Sequence, residues 1–232
     1  LAWAKFRERQ PVELRRQAST PVRFVLGATA GLAMCALMVV LLVNPGGASF
    51  ERTTTAPALG AAIAVPAVLI GFLVQTGAEE GIFRGWLLNR LQRAITPAWA
   101  AVLSSIIFAA VHLFTNASVM AFVGLFLYGL LLALVRQYGG LAAAIGWHWA
   151  WNVSESLLFG VAERSSASTT PALIGSITDT GSAVWSGGAL GTNSGLAMAV
   201  VLAAGCLLLA ITLARTGSRA TAAESAANPG AQ

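Results

Sequence analysis

The chain has 232 residues, of which 56% are hydrophobic and only 10% are charged, and its formal net charge is +5. A soluble globular domain carries about 25% charged residues, so this composition argues against a soluble domain with one large core. No basic stripe is interleaved with aromatic residues. The positive charge therefore predicts no nucleic-acid partner and indicates topology signals at an anionic membrane surface.

Six apolar runs are each about as long as the 20 residues that a helix needs to cross a bilayer core. They are 22–43, 57–75, 98–114, 118–135, 141–160 and 195–214. The stretch 76–95 has an amphipathic helical pattern and is expected to continue the second run. The sequence thus predicts an all-α, polytopic integral membrane helical bundle of about six transmembrane helices in a lipid bilayer.

The segments between and beside these runs complete the predicted organisation. Residues 1–21 are too long a leader for a cleaved signal peptide, so we expect the first run to remain as an anchor helix. The predicted segments are a basic cytoplasmic N-terminal segment (1–21), the first transmembrane helix with an outer loop (22–56), a helical core (57–160), a flexible outer loop rich in small residues (161–194), the last transmembrane helix (195–214) and a disordered tail (215–232).

The basic residues are distributed unevenly between the two sides of a six-helix arrangement. If the N-terminus is cytoplasmic, twelve of the 14 Lys and Arg residues fall on the cytoplasmic side, and Arg52 and Arg164 fall on the far side. Cytoplasmic loops of membrane proteins carry an excess of Lys and Arg. We therefore expect both termini in the cytoplasm and a bacterial plasma membrane as the location.

The ionisable residues within the apolar core are few and fall in three short motifs. Such a group costs about 2.5–3.5 kcal/mol in the middle of a membrane helix and usually marks function. The motifs are Glu79-Glu80-Gly81-Ile82-Phe83-Arg84, Phe108-Ala109-Ala110-Val111-His112 and His148-Trp149-Ala150-Trp151-Asn152, and they contain both histidines of the chain. In each motif, polar or aromatic residues four positions apart project from one helix face.

A helical hairpin would bring two of the motifs to the same depth. Glu79 and His112 lie 17 and 15 residues from the predicted turn at 96–97, or about 25 and 22 Å along their helices. His148 lies only eight residues past the turn that precedes its helix, or about 12 Å. It therefore reaches Glu79 only if the turn at 92–99 protrudes toward the cytoplasm.

Parts of these motifs also have purely structural interpretations. Glu80 and Arg84 can form an ion pair that only stabilises the fold, and His148 with Asn152 can join two helices by hydrogen bonds. The combined set suits hydrolysis better, because a carboxylate can take a proton from water, imidazoles can bind a metal or donate to an oxyanion, and an amide can also donate. The hydrolytic set is Glu79, His112, His148 and Asn152.

Other membrane hydrolases leave signatures that this chain lacks. There is no HExxH motif of a zinc protease and no GxSG serine of a rhomboid-like protease. Asp179 is the only aspartate, which excludes a two-aspartate intramembrane protease. The absence of internal repeats disfavours an inverted-repeat transporter that would use the polar cluster as a proton relay.

The order EExxxR, FxxxH and HxxxN on apolar helices resembles the CPBP family of intramembrane proteases, which includes type II CAAX prenyl endopeptidases and the Abi group. The resemblance covers about residues 57–160. It implies a helical membrane bundle in which Glu79 activates water and in which His112, His148 and Asn152 complete the catalytic site. Glu80, Arg84 and Phe108 match supporting positions.

The resemblance leaves the cofactor and the activity open. The family is described as metalloproteases, so Zn²⁺ with Glu79, His112 and His148 as ligands is one alternative and a metal-free glutamate mechanism is the other. Asn is a poor zinc ligand, which favours an oxyanion role for His148 and Asn152. The expected function is an intramembrane endopeptidase for a membrane-associated peptide or protein, with a CAAX-type substrate as one candidate. The alternative is a non-catalytic peptide-binding or bacteriocin-immunity protein.

Overall fold

The computed structural model describes residues 19–53, 59–113, 118–161, 172–179 and 181–227. Most of these residues are helical, as predicted. The helices are α1 (Thr20–Val43), α2 (Leu59–Glu80), α3 (Leu88–Ala94), α4 (Pro97–His112), α5 (Val119–Gly139), α6 (Leu141–Val153), α7 (Ala183–Ser186) and α8 (Leu196–Ala227). Two π-helical segments, Gly81–Leu87 and Ser154–Leu158, continue α2 and α6.

Four stretches among the described residues are long and apolar enough to cross a membrane. They are Thr20–Val43, Ala64–Ala94, Val119–Gly139 and Leu196–Thr216. The predicted third span is the shorter apolar helix α4, of 16 residues, and the predicted fifth span is divided between α6 and its π-helical segment. The protein is therefore a helical integral membrane protein. Only four of the six expected spans are, among the described residues, single helices that are both long enough and apolar enough to cross a membrane.

The second predicted span continues into the amphipathic stretch as expected. Pro66 lies within α2, and the helical path runs through the π-helical segment Gly81–Leu87 into α3. The predicted turn at 96–97 then begins α4, where the Thr96 hydroxyl accepts a hydrogen bond from the Trp99 backbone N–H at 3.4 Å. This cap is a common start for a helix whose first residue is proline.

Helix α6 occupies the centre of the bundle. It packs against α1, α2 and α5, and its buried residues include Trp147, His148 and Trp151. The turn from α5 to α6 passes through Gly140, whose φ of 86° is strained for a residue with a side chain. Because neighbouring helices enclose it, α6 can carry polar groups that a lipid-facing helix would expose to hydrocarbon.

Helices α1 and α6 approach each other at glycines. A Cβ atom added to Gly27 would overlap the Ala143 carbonyl oxygen, and one added to Gly31 would overlap the Trp147 carbonyl oxygen. Small residues spaced four apart allow such close backbone contact between membrane helices. Both contacts advance by four positions along each helix, so α1 and α6 run parallel. This direction agrees with the predicted alternation of spans, in which the first and fifth cross the same way.

The segment predicted as a flexible outer loop, 161–194, contains ordered structure in its described part. Strand β2 (Gly175–Asp179) pairs antiparallel with β1 (Ser49–Arg52). Two 3₁₀ turns, Gly188–Leu190 and Thr192–Ser194, follow α7, and the second packs against α5 and α8. Small residues predicted flexibility by composition, yet here they permit close packing against the bundle.

The predicted N-terminal segment can hardly be compared with the structure, whereas the predicted C-terminal tail can. The basic N-terminal segment 1–21 lies almost wholly outside the described residues, of which Ser19 is the first. Helix α8 extends to Ala227 and thus covers most of the predicted disordered tail 215–232. Ala and other helix-forming residues are frequent in this stretch, and their helix propensity accounts for the extension.

Candidate active site

Glu79 lies between two imidazoles near the end of α2. Its Oε2 atom is 3.7 Å from Nε2 of His112 on α4 and 4.0 Å from Nε2 of His148 on α6. Its other oxygen, Oε1, accepts a hydrogen bond from Nε2 of Gln75 at 3.0 Å. The carboxylate is thus held on one side by Gln75, while its second oxygen faces both histidines.

The three side chains differ in their access to a ligand. The Glu79 and His112 side chains are 21% and 32% exposed, whereas the His148 side chain is only 5% exposed. The Glu79 carboxylate is therefore open on the His112 side, and His148 lies on its buried side.

Beneath this accessible layer lies a buried charged network around Glu80. Its Oε1 atom accepts a hydrogen bond from Nη1 of Arg84 at 3.0 Å and lies 2.9 Å from Nδ1 of His148. Arg84 also donates from Nη2 to the Gly129 carbonyl oxygen at 2.9 Å. The expected i, i+4 pair of Glu80 and Arg84 is therefore formed, and it also holds a candidate histidine.

This contact with Glu80 orients the His148 ring. An ionised carboxylate can only accept, so Nδ1 of His148 carries the hydrogen that it donates to Glu80, and Nε2 is left facing Glu79. Carboxylates commonly fix the tautomer and direction of functional histidines in this way. Donation from Nε2 to an oxyanion requires a second proton on the ring, and the Glu80 carboxylate can stabilise that cationic form.

The π-helical segment Gly81–Leu87 places Glu80 and Arg84 on the inner side of the helix. Its wider turn is closed by a hydrogen bond from the Leu88 backbone N–H to the Phe83 carbonyl oxygen, which also accepts from the Ser104 hydroxyl at 3.3 Å. Arg84 is fully buried in this segment. Isolated π-helical turns are frequent at functional sites, and nothing in the spacing of the motif predicted this one.

Phe108 connects the buried network to His112. Its ring lies 4.4 Å from Cζ of Arg84 and 4.3 Å from the His112 ring. Its backbone carbonyl oxygen is 2.7 Å from Nδ1 of His112, so this nitrogen donates and Nε2 faces Glu79. Phe108 was expected mainly to pack, and it additionally makes a cation–π contact with the buried arginine.

Asn152 is placed less closely than the other candidates. It lies half-buried on α6, one turn beyond His148 and on the same helix face. In the part of the chain that the structure describes, no hydrogen bond joins its amide to Glu79, His112 or His148. The structure thus brings Glu79, His112 and His148 together, and it shows no contact of the Asn152 amide with them among the described residues.

The candidate metal ligands are Glu79, His112 and His148. Among the described residues, no group of three or more His, Cys, Asp or Glu side chains is arranged to hold a metal ion. Glu79, His112 and His148 approach one another only pairwise through Glu79, at 3.7 and 4.0 Å. Ligand atoms that bind one zinc ion tetrahedrally at about 2.0–2.2 Å lie about 3.3–3.6 Å from each other, so the two separations are slightly longer than those of a closed zinc site.

Two residues of the site lay outside the sequence motifs. Gln75 is four residues before Glu79 on the same helix, and this spacing could have identified it. Tyr128 on α5 packs edge-on against the His148 ring, with 5.2 Å between ring centroids. Its only signal in the sequence is a phenol within an otherwise apolar run.

Residues 61–154 match the family model described as type II CAAX prenyl endopeptidase Rce1-like. No curated protein and no solved structure matches the chain. The matched segment lies within the predicted core 57–160 and contains all seven candidate residues. The match covers less than half of the chain, and it supports the predicted resemblance of this segment to the CPBP and CAAX proteases.

Proposed function

We propose that the protein is an intramembrane endopeptidase that hydrolyses a peptide bond of a membrane-associated protein or peptide. The observation that carries this proposal is the position of the Glu79 carboxylate, which is accessible and faces Nε2 of both His112 and His148. The family match supports the same activity, because the model that matches residues 61–154 is one of prenyl endopeptidases.

In the proposed mechanism, Glu79 acts as a general base. A water molecule beside Oε2 gives one proton to the carboxylate while its oxygen attacks the scissile carbonyl carbon. His112, whose Nδ1 donates to the Phe108 carbonyl oxygen, presents Nε2 to the same water and orients it. The carbonyl oxygen becomes an oxyanion as the new C–O bond forms.

The oxyanion is stabilised from the α6 side of the site. Nε2 of a protonated His148 and the amide of Asn152 donate to it, and Glu80 balances the charge of the imidazolium. Collapse of the intermediate breaks the C–N bond, and the protonated Glu79 returns its proton to the leaving amine. Glu80 and Arg84 contribute by positioning His148, without contact with the substrate.

We propose a substrate of CAAX type that reaches the site from the membrane, on the basis of the matching family. Its lipid group would lie against the apolar surface of the bundle. The exposed tryptophans Trp86 and Trp99, each about two-thirds accessible, lie on the stretch that carries Glu79 and on α4, respectively. Aromatic side chains of this kind favour the membrane interface, where the lipidated end of a protein is held.

The decisive experiment uses purified protein in liposomes and a farnesylated peptide that ends in a CAAX sequence. Glu79→Gln keeps the size of the side chain but cannot take a proton, so it should lower the cleavage rate by about 10²–10⁴. Glu51→Gln is the matched control, because it makes the same change at an exposed residue of β1. It should cleave at the wild-type rate.

The alternative function is non-catalytic binding of a peptide, as in an immunity protein. It predicts that wild type and Glu79→Gln bind the peptide equally and that neither cleaves it. Cleavage by Glu79→Gln at the wild-type rate would instead show that the protein is a peptidase with another base. The unfarnesylated form of the peptide, tested in parallel, measures how much the lipid contributes.

A further inference from the structure

Tyr128 lies at the centre of the buried aromatic cluster beside the site. Only 5% of the residue is exposed. Its ring centroid lies 5.2, 5.2, 5.7 and 6.2 Å from the ring centroids of Trp147, His148, Trp151 and Phe108. The ring therefore covers the turn of α6 between His148 and Asn152.

The hydroxyl of Tyr128 has no hydrogen-bond partner among the residues that the structure describes, and its oxygen is fully buried. Buried hydroxyls are almost always paired in native proteins, because an unpaired one keeps the cost of losing its water. Phenylalanine would make the same four ring contacts without this cost. The packing therefore accounts for the aromatic ring but not for the hydroxyl, which indicates that a ligand completes it.

The surroundings of the phenol oxygen show where such a ligand would lie. The Tyr128 ring packs edge-on against the rings of His148 and Trp151, which lie on adjacent turns of α6. His148, Asn152 and Glu155 follow one another at intervals of four and three residues, so they form one stripe along the helical path of α6. The Tyr128 ring thus lies beside the His148 end of this polar stripe.

A peptide bound for hydrolysis at Glu79 would bring its own polar groups into this region. Each backbone carbonyl that leaves water needs a donor, since an unpaired carbonyl in an apolar site is costly. Ionised carboxylates of the site can only accept hydrogen bonds, so they cannot pair with such a carbonyl. The Tyr128 hydroxyl can donate to it, as a second neutral donor beside the Asn152 amide.

We propose that the Tyr128 hydroxyl donates a hydrogen bond to a backbone carbonyl of the bound peptide, adjacent to the scissile bond. This inference rests on the proposed function of the same site. Because the Tyr128 ring packs against His148 and Trp151 of α6 and has no part in activating the water, the bond forms in the bound peptide as well as during hydrolysis. It therefore contributes to binding, and kcat should depend on it little.

The test compares the two tyrosines of the chain in purified protein in detergent micelles. Tyr128→Phe removes only the buried hydroxyl, and Tyr138→Phe makes the same change at a residue that is 49% exposed at the end of α5. The probe is the farnesylated CAAX peptide. Its Kd is measured in the Glu79→Gln background, and its KM and kcat are measured with Glu79 intact.

Tyr128→Phe should raise Kd and KM about three- to tenfold, the usual effect of one lost neutral hydrogen bond. It should leave kcat within about twofold and the Tm unchanged or higher. Tyr138→Phe should change none of these. Unchanged Kd and KM in Tyr128→Phe would overturn the proposal, and so would a fall in Tm, because the hydroxyl would then be satisfied within the folded protein.

The same measurements separate this proposal from the proposed function. If wild type binds the peptide without cleaving it and Tyr128→Phe weakens that binding, hydrolysis is refuted and the role of Tyr128 stands. If wild type cleaves and Tyr128→Phe cleaves with the same KM, hydrolysis stands and the proposed role of Tyr128 is refuted. If wild type neither binds nor cleaves the peptide, both proposals fail for this substrate class.

Discussion

Nδ1 of His148 lies 2.9 Å from Oε1 of Glu80, and the same oxygen accepts a hydrogen bond from Arg84 at 3.0 Å. One buried carboxylate oxygen thus joins a charged pair within one helix to a candidate catalytic residue on another. The second oxygen of Glu80 is buried and has no hydrogen-bond partner among the described residues. The stability of the fold and the geometry of the site therefore depend on the same three side chains.

Arg84→Ala should lower both stability and activity. The substitution leaves the Glu80 carboxylate buried without its cationic partner, at a cost of about 3–5 kcal/mol. It also removes the hydrogen bond to the Gly129 carbonyl oxygen. We expect a clearly lower Tm in detergent and a lower yield of folded protein, measured by thermal unfolding and size-exclusion chromatography.

Two further variants test whether the effect of Arg84→Ala comes from its buried ion pair with Glu80. Arg90→Ala removes an exposed arginine from α3 and should change stability by no more than about 0.5 kcal/mol. Arg84→Lys keeps the charge but not the two-pronged donor, so it should fall between wild type and Arg84→Ala. Wild-type stability in Arg84→Ala would mean that water reaches Glu80.

The sequence predicted which of these side chains would meet within one helix or one hairpin. It did not predict how His148, on a separate helix, would reach them. A spacing of four residues predicted that Glu80 and Arg84 would meet on one helix, and they do. The depth of Glu79 and His112 in a hairpin was also predictable, because both could be measured from one turn. Contacts to His148 depend on how far one helix is displaced along another, and that displacement follows from packing that a linear sequence does not show.

The contact between α1 and α6 illustrates this limit. Gly27 and Gly31 stand among many small residues in an apolar run, and only the carbonyl oxygens of the opposing helix show why these two must be glycine. The helix α1 lies outside the family match at 61–154. It nevertheless sets the position of Trp147, which immediately precedes His148.

Gly31→Val should therefore impair the site from a distance. The new side chain would overlap the Trp147 carbonyl oxygen and force α1 and α6 apart, which displaces His148 from Glu79. Overpacking of this kind costs about 1–3 kcal/mol or more. Gly71→Ala is the control, because a Cβ at Gly71 meets no atom within 4 Å.

The two glycine variants are measured by Tm in detergent and by peptide cleavage. Gly31→Val should lower both, whereas Gly71→Ala should retain activity and gain up to about 1 kcal/mol from its better helix propensity. Equal behaviour of the two variants would show that the α1–α6 contact can relax without moving the site.

Removal of metal ions should leave cleavage unchanged. No three of the described His, Cys, Asp and Glu side chains are arranged as metal ligands, and the proposed steps require only Glu79, the histidines and Asn152. Purified protein is dialysed against a strong chelator, and peptide cleavage is compared before and after, with metal content measured in parallel. Activity that disappears with the chelator and returns with Zn²⁺ would require that Glu79, His112 and His148 rearrange around an ion.

The proposed orientation places both termini in the cytoplasm. Parallel α1 and α6 agree with alternating spans, and the basic residues favour the cytoplasmic side. In intact cells, cysteines introduced at Trp3 and Ser225 should be protected from an impermeant maleimide. A cysteine at Glu51, on the opposite side in this arrangement, should react.

The native thiols do not confuse this measurement, because Cys35 and Cys206 are buried. Reaction of both terminal cysteines from outside, with an unreactive cysteine at position 51, would reverse the orientation. Reaction of only one terminus would mean an odd number of crossings.

The catalytic proposal makes its strongest prediction about combined substitutions. Glu79→Gln and His112→Ala each remove one member of a pair that acts on the same water, through atoms 3.7 Å apart. Each single variant should lose about 10²–10⁴ in cleavage rate. The double variant should lose little more than the worse single one, because residues that act as a unit have non-additive effects. Asn152→Ala removes an oxyanion donor and should cost about 10²–10³, with peptide binding retained. All variants are compared at equal amounts of folded protein, in single-turnover cleavage of the farnesylated peptide. Losses that multiply in the double variant would show that Glu79 and His112 act in separate steps, and the shared-water mechanism would then be abandoned.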